Sequence, residues 1–536
     1  MTTTLRPVRR PRGKPADPWG APERRGSMVL AAAAAAGGRR RLARRHKPTE
    51  GRHASWLARH PAWPVTGLLV GYPLLWALGL ADFSWIVLPI PMIVRMLAWR
   101  MHGNRRLRVP PGFGIWLLFL ICAVAGVAML KLAAPGTAPS ALSHRVISYS
   151  DRTLNYVGVT VLLLFVGNLT ERELPRRRLA WALGLVAIYT TLGGLAGMVL
   201  PHLQFNSPFM QLLPKNVQSN TFIQASMHPG LSQVQNVLGT AGGRPKAPFD
   251  YTNLWGDCLT ILLPWLLVGW WLGGTRRQRW IAAATIAVCV IPLLYSLNRG
   301  AWIGAGVAVG YLALRLAARG RVGMLGGLFA LIALTGILVL ATPLQSIVVG
   351  RLANGKSDNL RSKLSSLSVE AAVASPVLGF GDTRQERGSP TSIAVGPSPK
   401  CPTCGQLAVG STGQLWLLLI CNGFVGAAFY LAFFGYGMWR YRHDRTPYGI
   451  AGVLVLLLSF VYMFTYDAVG APLGFTMLAY AVVWKNDLFT RGAGAADAEQ
   501  DAGREPASGP PGQRRPAVLR EPSGQRTLAA TPGRPA

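Results

Sequence analysis

Arginine is the residue type in this chain best placed to do chemistry. Arg299 lies in Ser296-Leu297-Asn298-Arg299-Gly300-Ala301-Trp302, between an apolar run that starts at Trp280 and another that ends at Ala318. Each run is long enough to cross a bilayer, because about 20 apolar residues at 1.5 Å each cover the ~30 Å hydrocarbon core. A charge at mid-bilayer costs about 3 kcal/mol or more. Arg299 is therefore expected at a membrane surface, on the tip of a helical hairpin. Plain anchoring of a helix end would also place an arginine there.

A second group of cations lies in 343–412: Arg351, Lys356, Arg361, Lys363, Arg384, Arg387 and Lys400, with Asp358, Glu370, Asp382 and Glu386 among them. Gathered beside Arg299, they suit a phosphorylated ligand, since the guanidinium fork grips phosphate oxygens in pairs. Taken singly, each reads equally well as a solvated side chain. At a membrane surface the phosphorylated molecules on offer are lipid headgroups and lipid-linked precursors.

In the same segment Val377-Leu378-Gly379-Phe380-Gly381-Asp382 follows Ser375-Pro376. Its glycines permit a tight turn and a close backbone approach to a ligand, or simply stop a helix. Cys401-Pro402-Thr403-Cys404 has no second CxxC and no nearby histidine, so it reads as a local disulfide rather than a zinc site. Cys122, Cys258, Cys289 and Cys421 fall in or beside apolar runs and read as packing residues. There is no phosphate-binding loop, dinucleotide fingerprint or HExxH site.

The elements that must position these residues follow from composition. The chain is 50% hydrophobic and 14% charged, against about 25% charged for a soluble domain. Its mean hydropathy is +0.30. An all-α polytopic membrane protein is expected. The formal charge of +34 does not indicate nucleic acid, because the cations sit in tails and short connections rather than on one face.

About twelve transmembrane helices are expected, at 62–81, 84–100, 113–133, 154–169, 179–200, 252–273, 280–297, 301–318, 323–342, 413–439, 448–466 and 469–485. Every second connection is arginine-rich: Arg100 to Arg108, Arg172 to Arg178, Arg276 to Arg279, Arg315 to Arg321 and Arg440 to Arg445. The positive-inside rule then makes these connections and both termini cytoplasmic.

The outer face receives 82–83, 134–153, 201–251, 298–300, 343–412 and 467–468. Loops as long as 201–251 and 343–412 are usually functional or disordered. Their apolar stretches, with Leu364, Leu367, Ala371 and Ala374 at helical spacing, predict short surface helices. Lys131, Asp257 and Asp467 fall near outer ends and nothing charged falls at mid-membrane, unlike an ion-coupled transporter. The transmembrane domain is 62–485. Residues 1–61 and 486–536 are expected to be disordered cytoplasmic tails.

Four stretches together resemble the O-antigen ligase and O-antigen polymerase superfamily of bacterial membrane glycosyltransferases, in versions similar to actinobacterial members. They are Pro248-Phe249-Asp250-Tyr251-Thr252-Asn253-Leu254-Trp255-Gly256, the Ser296 to Trp302 turn, the Arg361 to Gly381 segment, and Gly410 to Gly426, ending Gly423-Phe424-Val425-Gly426. The likeness covers roughly residues 60–485.

It implies a metal-independent, inverting glycosyltransferase without cofactors. Such an enzyme passes glycan from a polyprenyl-diphosphate carrier to a hydroxyl of a glycan or lipid acceptor at the outer face of the cytoplasmic membrane. The family's diphosphate-holding arginines fall on Arg299 and Arg361, with Arg351 a third candidate. Many members carry a histidine before the tenth span, where this chain has Thr412-Gly413. Glu370, Asp382 or Glu386 is then the candidate base. The neighbouring readings are a peptidoglycan-polymerase-like enzyme and a lipid or polysaccharide flippase that does no chemistry.

Overall fold

The computed structural model describes residues 60–102, 105–138, 141–218, 226–236, 241–341, 344–353, 356–386 and 408–502. Cys401, Cys404, Arg387 and Lys400 lie outside the described residues, as do the tail segments 1–59 and 503–536.

The apolar runs fold as helices, but the expected 62–81 run is divided into Trp63–Val70 and Tyr72–Ala77, and 84–100 into Ser84–Val87 and Pro89–Met101. Among the described residues, six helices are long and apolar enough to cross a membrane: Ser84–Met101, Arg176–Val199, Thr252–Leu272, Arg276–Tyr295, Arg299–Ala317 and Gln414–Tyr441. Phe113–Met129, Val322–Ile337 and Pro447–Tyr462 are apolar but shorter. Local chemistry sets several boundaries. Thr275 and Gln278 form a reciprocal capping box at the start of Arg276–Tyr295. Thr446 caps Pro447–Tyr462, with Pro447 at the first helical position.

The connections fall into two sets, each joined within itself. In one set, Arg152 pairs with Asp382 at 3.0 Å, Arg244 Nε donates to the Ser296 carbonyl at 2.6 Å, and Arg361 donates to the Thr465 carbonyl at 3.1 Å. In the other, Arg105 pairs with Glu173 at 2.8 Å and Arg315 donates to the Arg442 carbonyl at 2.5 Å. There too, the Asn486 amide donates to Asp444 at 2.8 Å. The helices thus run between two ends, and the long segments 201–251 and 343–412 share one of them.

That end carries the short elements. Segment 201–251 holds helices Pro208–Leu212 and Lys215–Gln218, then an antiparallel pair Ser232–Asn236 and Ala241–Pro245. Segment 343–412 holds helices Leu344–Ala353 and Lys356–Ala374 and a two-residue pairing of Arg384–Gln385 with Ala408–Val409. Of the expected stripe, Leu364 and Ala371 are buried against Leu417 and Ile420, Leu367 packs partly against them, and Ala374 is exposed.

The glycine turn 379–381 meets protein backbone. Helix Gln414–Tyr441 is interrupted at Gly423, whose φ of 64° and ψ of −171° leave the helical region. The Ile420 and Cys421 carbonyls lose their partners four residues on. The amides of Phe380 and Gly381 replace them, at 2.7 and 2.9 Å, while Val425 N turns to the Pro376 carbonyl at 3.1 Å. A Cβ on Gly379 would lie 2.6 Å from the backbone of 420–422. The close approach these glycines permit is to a broken helix.

Residues Leu488–Ala536 form a second unit. It is helical as far as Ala502, so the stretch from 486 expected to be disordered begins with helix. Ala495, Ala496, Ala498, Glu499 and Gln500 there are good helix formers.

Candidate functional site

The tip of the hairpin between Arg276–Tyr295 and Arg299–Ala317 is built tightly. Asn298 caps the second helix, its side-chain oxygen accepting from Ala301 N at 3.3 Å. The Trp302 indole donates to the Leu293 carbonyl at 2.9 Å and ties the two helices together. Leu297 has a φ of 56°, a conformation costing a bulky residue about 1–2 kcal/mol. Arg299 is the first helical residue and is half-buried.

Gly300 and Gly304, one turn apart, let this helix lie against two tyrosines. A Cβ on Gly300 would sit 2.3 Å from the Tyr466 hydroxyl, and one on Gly304 would sit inside the Tyr462 hydroxyl contact. Arg361 and Arg244 both lie within electrostatic range of the Tyr466 phenol. Arg361 comes from helix Lys356–Ala374 and Arg244 from strand Ala241–Pro245. Two arginines from two connections thus act on one tyrosine, and the helix that Arg299 begins packs on it at Gly300.

Gln414 fixes the next residue. Its backbone amide donates to the Tyr466 carbonyl at 2.7 Å, and its side-chain oxygen accepts from Ala468 N at 2.9 Å. Asp467 is held between these two bonds. It remains solvent-accessible although Asp82 and Arg152 both act on it electrostatically, as it does on Tyr251. It therefore stands open to solvent among other charged groups. Burial raises its carboxyl above the ordinary range, and the Arg152 guanidinium pulls the other way.

The acids expected from sequence lie elsewhere. Asp382 is buried and engaged by Arg152 at 3.0 Å, with Arg384 at 3.9 Å. Arg384 is itself fully buried and donates to the carbonyls of Phe380, Asp382 and Leu130. Glu386 pairs with Lys363, and its backbone bridges to Thr137. Glu370 is exposed on helix Lys356–Ala374. Arg351 lies in helix Leu344–Ala353, and its side chain is outside the described residues. Arg361 acts on Tyr466, and the helix that Arg299 begins packs against the same tyrosine at Gly300. Asp382 is linked to them only through Arg152 and Asp467.

Sequence reasoning missed Arg244, Tyr466 and the clamp on Asp467. Asp467 carried a signal, as an acid in a two-residue connection between apolar runs. Arg244 carried none, since its position depends on strand pairing and a contact to Ser296.

The arrangement offers fixed cations, a solvent-accessible carboxylate and oriented backbone groups in one place. Among the described residues, no group of three or more His, Cys, Asp or Glu is arranged to hold a metal ion. Comparison with protein-family models, curated proteins and solved structures finds no match.

Proposed function

We propose that the protein is a membrane glycosyltransferase crossing the bilayer about twelve times. Both termini lie in the cytoplasm, and the Arg244–Arg299–Arg361 end faces outward. The arginine-rich connections supply the sidedness. One observation carries the reading: Arg244 and Arg361, from separate connections, act on Tyr466, the helix that Arg299 begins packs on the same tyrosine at Gly300, and Asp467 is clamped beside it. The family likeness of the Ser296 to Trp302 and Arg361 to Gly381 stretches supplies the substrate class, a glycan on a polyprenyl diphosphate.

In the reaction the acceptor hydroxyl oxygen attacks the anomeric carbon from the face opposite the diphosphate. The carbon–oxygen bond to the diphosphate breaks with inversion, and its electron pair leaves on the phosphate oxygen. Arg244, Arg299 and Arg361 meet that growing charge without reorganising, which is worth about 3–4 kcal/mol for one well-aimed donor. Asp467 takes the acceptor proton, and its raised carboxyl makes it a stronger base than a solvated aspartate. Asp382 serves instead to hold Arg152.

The test is the surface glycan of cells lacking the chain. They should lose polymer and accumulate lipid-linked donor on the outer leaflet. Wild type should restore the polymer, and Arg299→Ala and Arg361→Ala should not, although both insert normally. Donor trapped on the inner leaflet would identify a flippase and sink the proposal.

A further inference from the structure

Near Asp467, on which Asp82 acts electrostatically, lies a group of opposite character. Asp82 and Lys246 both act on Asp250 electrostatically. Asp151 faces Asp82 from helix Leu142–Asn168. This helix packs on the Asp82 connection at Gly158, where a Cβ would lie 2.2 Å from the Trp85 carbonyl. Residues 151, 155 and 158 share one helix face at i, i+4 and i+7, so Asn155 points the same way. Asn155 is 4% exposed. Its amide nitrogen donates to the Asp151 carbonyl at 3.0 Å and carboxylate at 3.3 Å, and its side-chain oxygen has no partner.

A buried polar oxygen without a donor costs about 1–3 kcal/mol, so this one asks for a ligand that brings a donor. Tyr251 adds an aromatic surface: it is 51% exposed yet within electrostatic range of Asp250, Asp82 and Asp467. These residues thus present hydrogen-bond acceptors and a ring face, and Lys246 already supplies a cation. A molecule rich in hydroxyl donors with an apolar face meets both demands, and a carbohydrate is that molecule.

We propose that Asp82, Asp151, Asn155 and Asp250, with the Tyr251 ring, form the subsite for the acceptor sugar, whose hydroxyl is then delivered to Asp467. This rests on the reading of the arginine group as the diphosphate site. Charge separates the two substrates: the anionic donor is held by arginine and repelled by the aspartates, while the neutral sugar is not.

The test uses the full chain in lipid nanodiscs and two probes. One is oligosaccharide released by mild acid from the surface of cells that make the protein. The other is a polyprenyl diphosphate without sugar. Tyr251→Ala and Asn155→Leu should each bind the oligosaccharide at least tenfold more weakly and the polyprenyl diphosphate as wild type does. Arg361→Ala should show the reverse.

Tyr251 is half outside the protein, so its replacement keeps the fold even if Asn155→Leu does not. Equal oligosaccharide binding by wild type and both variants, no oligosaccharide binding by wild type, or binding abolished by a divalent-metal chelator would overturn the subsite. Wild-type failure to bind polyprenyl diphosphate would overturn the proposed function and leave the sugar result standing.

Discussion

The two ends of the helical bundle both collect arginines, and they use them differently. At the end opposite the long segments, cations meet carboxylates: Arg105 with Glu173, Arg176 with Glu171, Arg440 with Asp487. Others close helix ends by donating to the carbonyls of Gly273, Arg442 and Arg445. At the long-segment end Arg152 and Lys363 also meet carboxylates, those of Asp382 and Glu386, but Arg244 and Arg361 reach the Ser296 and Thr465 carbonyls beside the Tyr466 phenol. Pairing with a carboxylate cancels a cation's field, whereas a backbone carbonyl orients the guanidinium and leaves its net charge available to an anion. The first arrangement suits anchoring and the second suits binding.

The sharpest way to break the comparison is to remove one arginine from each end. Arg244→Ala should lower glycosyl transfer about a hundredfold, on the scale of one lost transition-state donor, with the melting temperature little changed. Arg105→Ala should leave transfer untouched. Equal losses at both ends would make the difference between them meaningless.

Gly300→Ala comes next. Alanine is the better helix former, so a rise in stability is the naive expectation. Its Cβ would collide with the Tyr466 hydroxyl at 2.3 Å. Forcing that tyrosine aside should cost about 1–3 kcal/mol in thermal or denaturant unfolding, and transfer should fall with it because Asp467 is the next residue.

Asp151 gives a pH test. It precedes the apolar part of its helix, and burial, helped by the Asp82 carboxylate, pushes its carboxyl up to about 6. The folded state then holds a proton that the unfolded state releases near pH 4. Stability should fall as pH rises from about 4 through 6, and Asp151→Asn should flatten that slope in melting curves. A slope of opposite sign in wild type would refute the assignment. The smallest effect belongs to the partly buried pair at the anchoring end: Glu173→Gln should shift stability by about 1 kcal/mol.

Much of this was legible in the chain. The 20-residue apolar runs dictated the helices, and the alternation of arginine-rich connections grouped the rest, so Asp82, Arg152, Arg299 and Asp467 could be assigned to one end. Arg299 and Arg361 were readable for the same reason.

What was not readable depends on contacts far apart in sequence. Arg152 and Asp382 are joined across 230 positions, a pairing that no spacing in the chain indicates. Arg244 becomes a site residue only through the pairing of Ser232–Asn236 with Ala241–Pro245. The Gly379 to Gly381 turn looked like a ligand loop and proved to mend a helix, because the interruption at Gly423 cannot be seen until both segments are in place.

One labelling experiment reaches the central claim directly. Asp467→Cys, in a chain with its native cysteines replaced, should react with a membrane-impermeant maleimide in intact cells, and added polyprenyl diphosphate should slow that reaction. Labelling that requires permeabilised cells would place the arginine group on the cytoplasmic side and contradict the account. Labelling from outside that ignores polyprenyl diphosphate would leave the topology and remove the ligand.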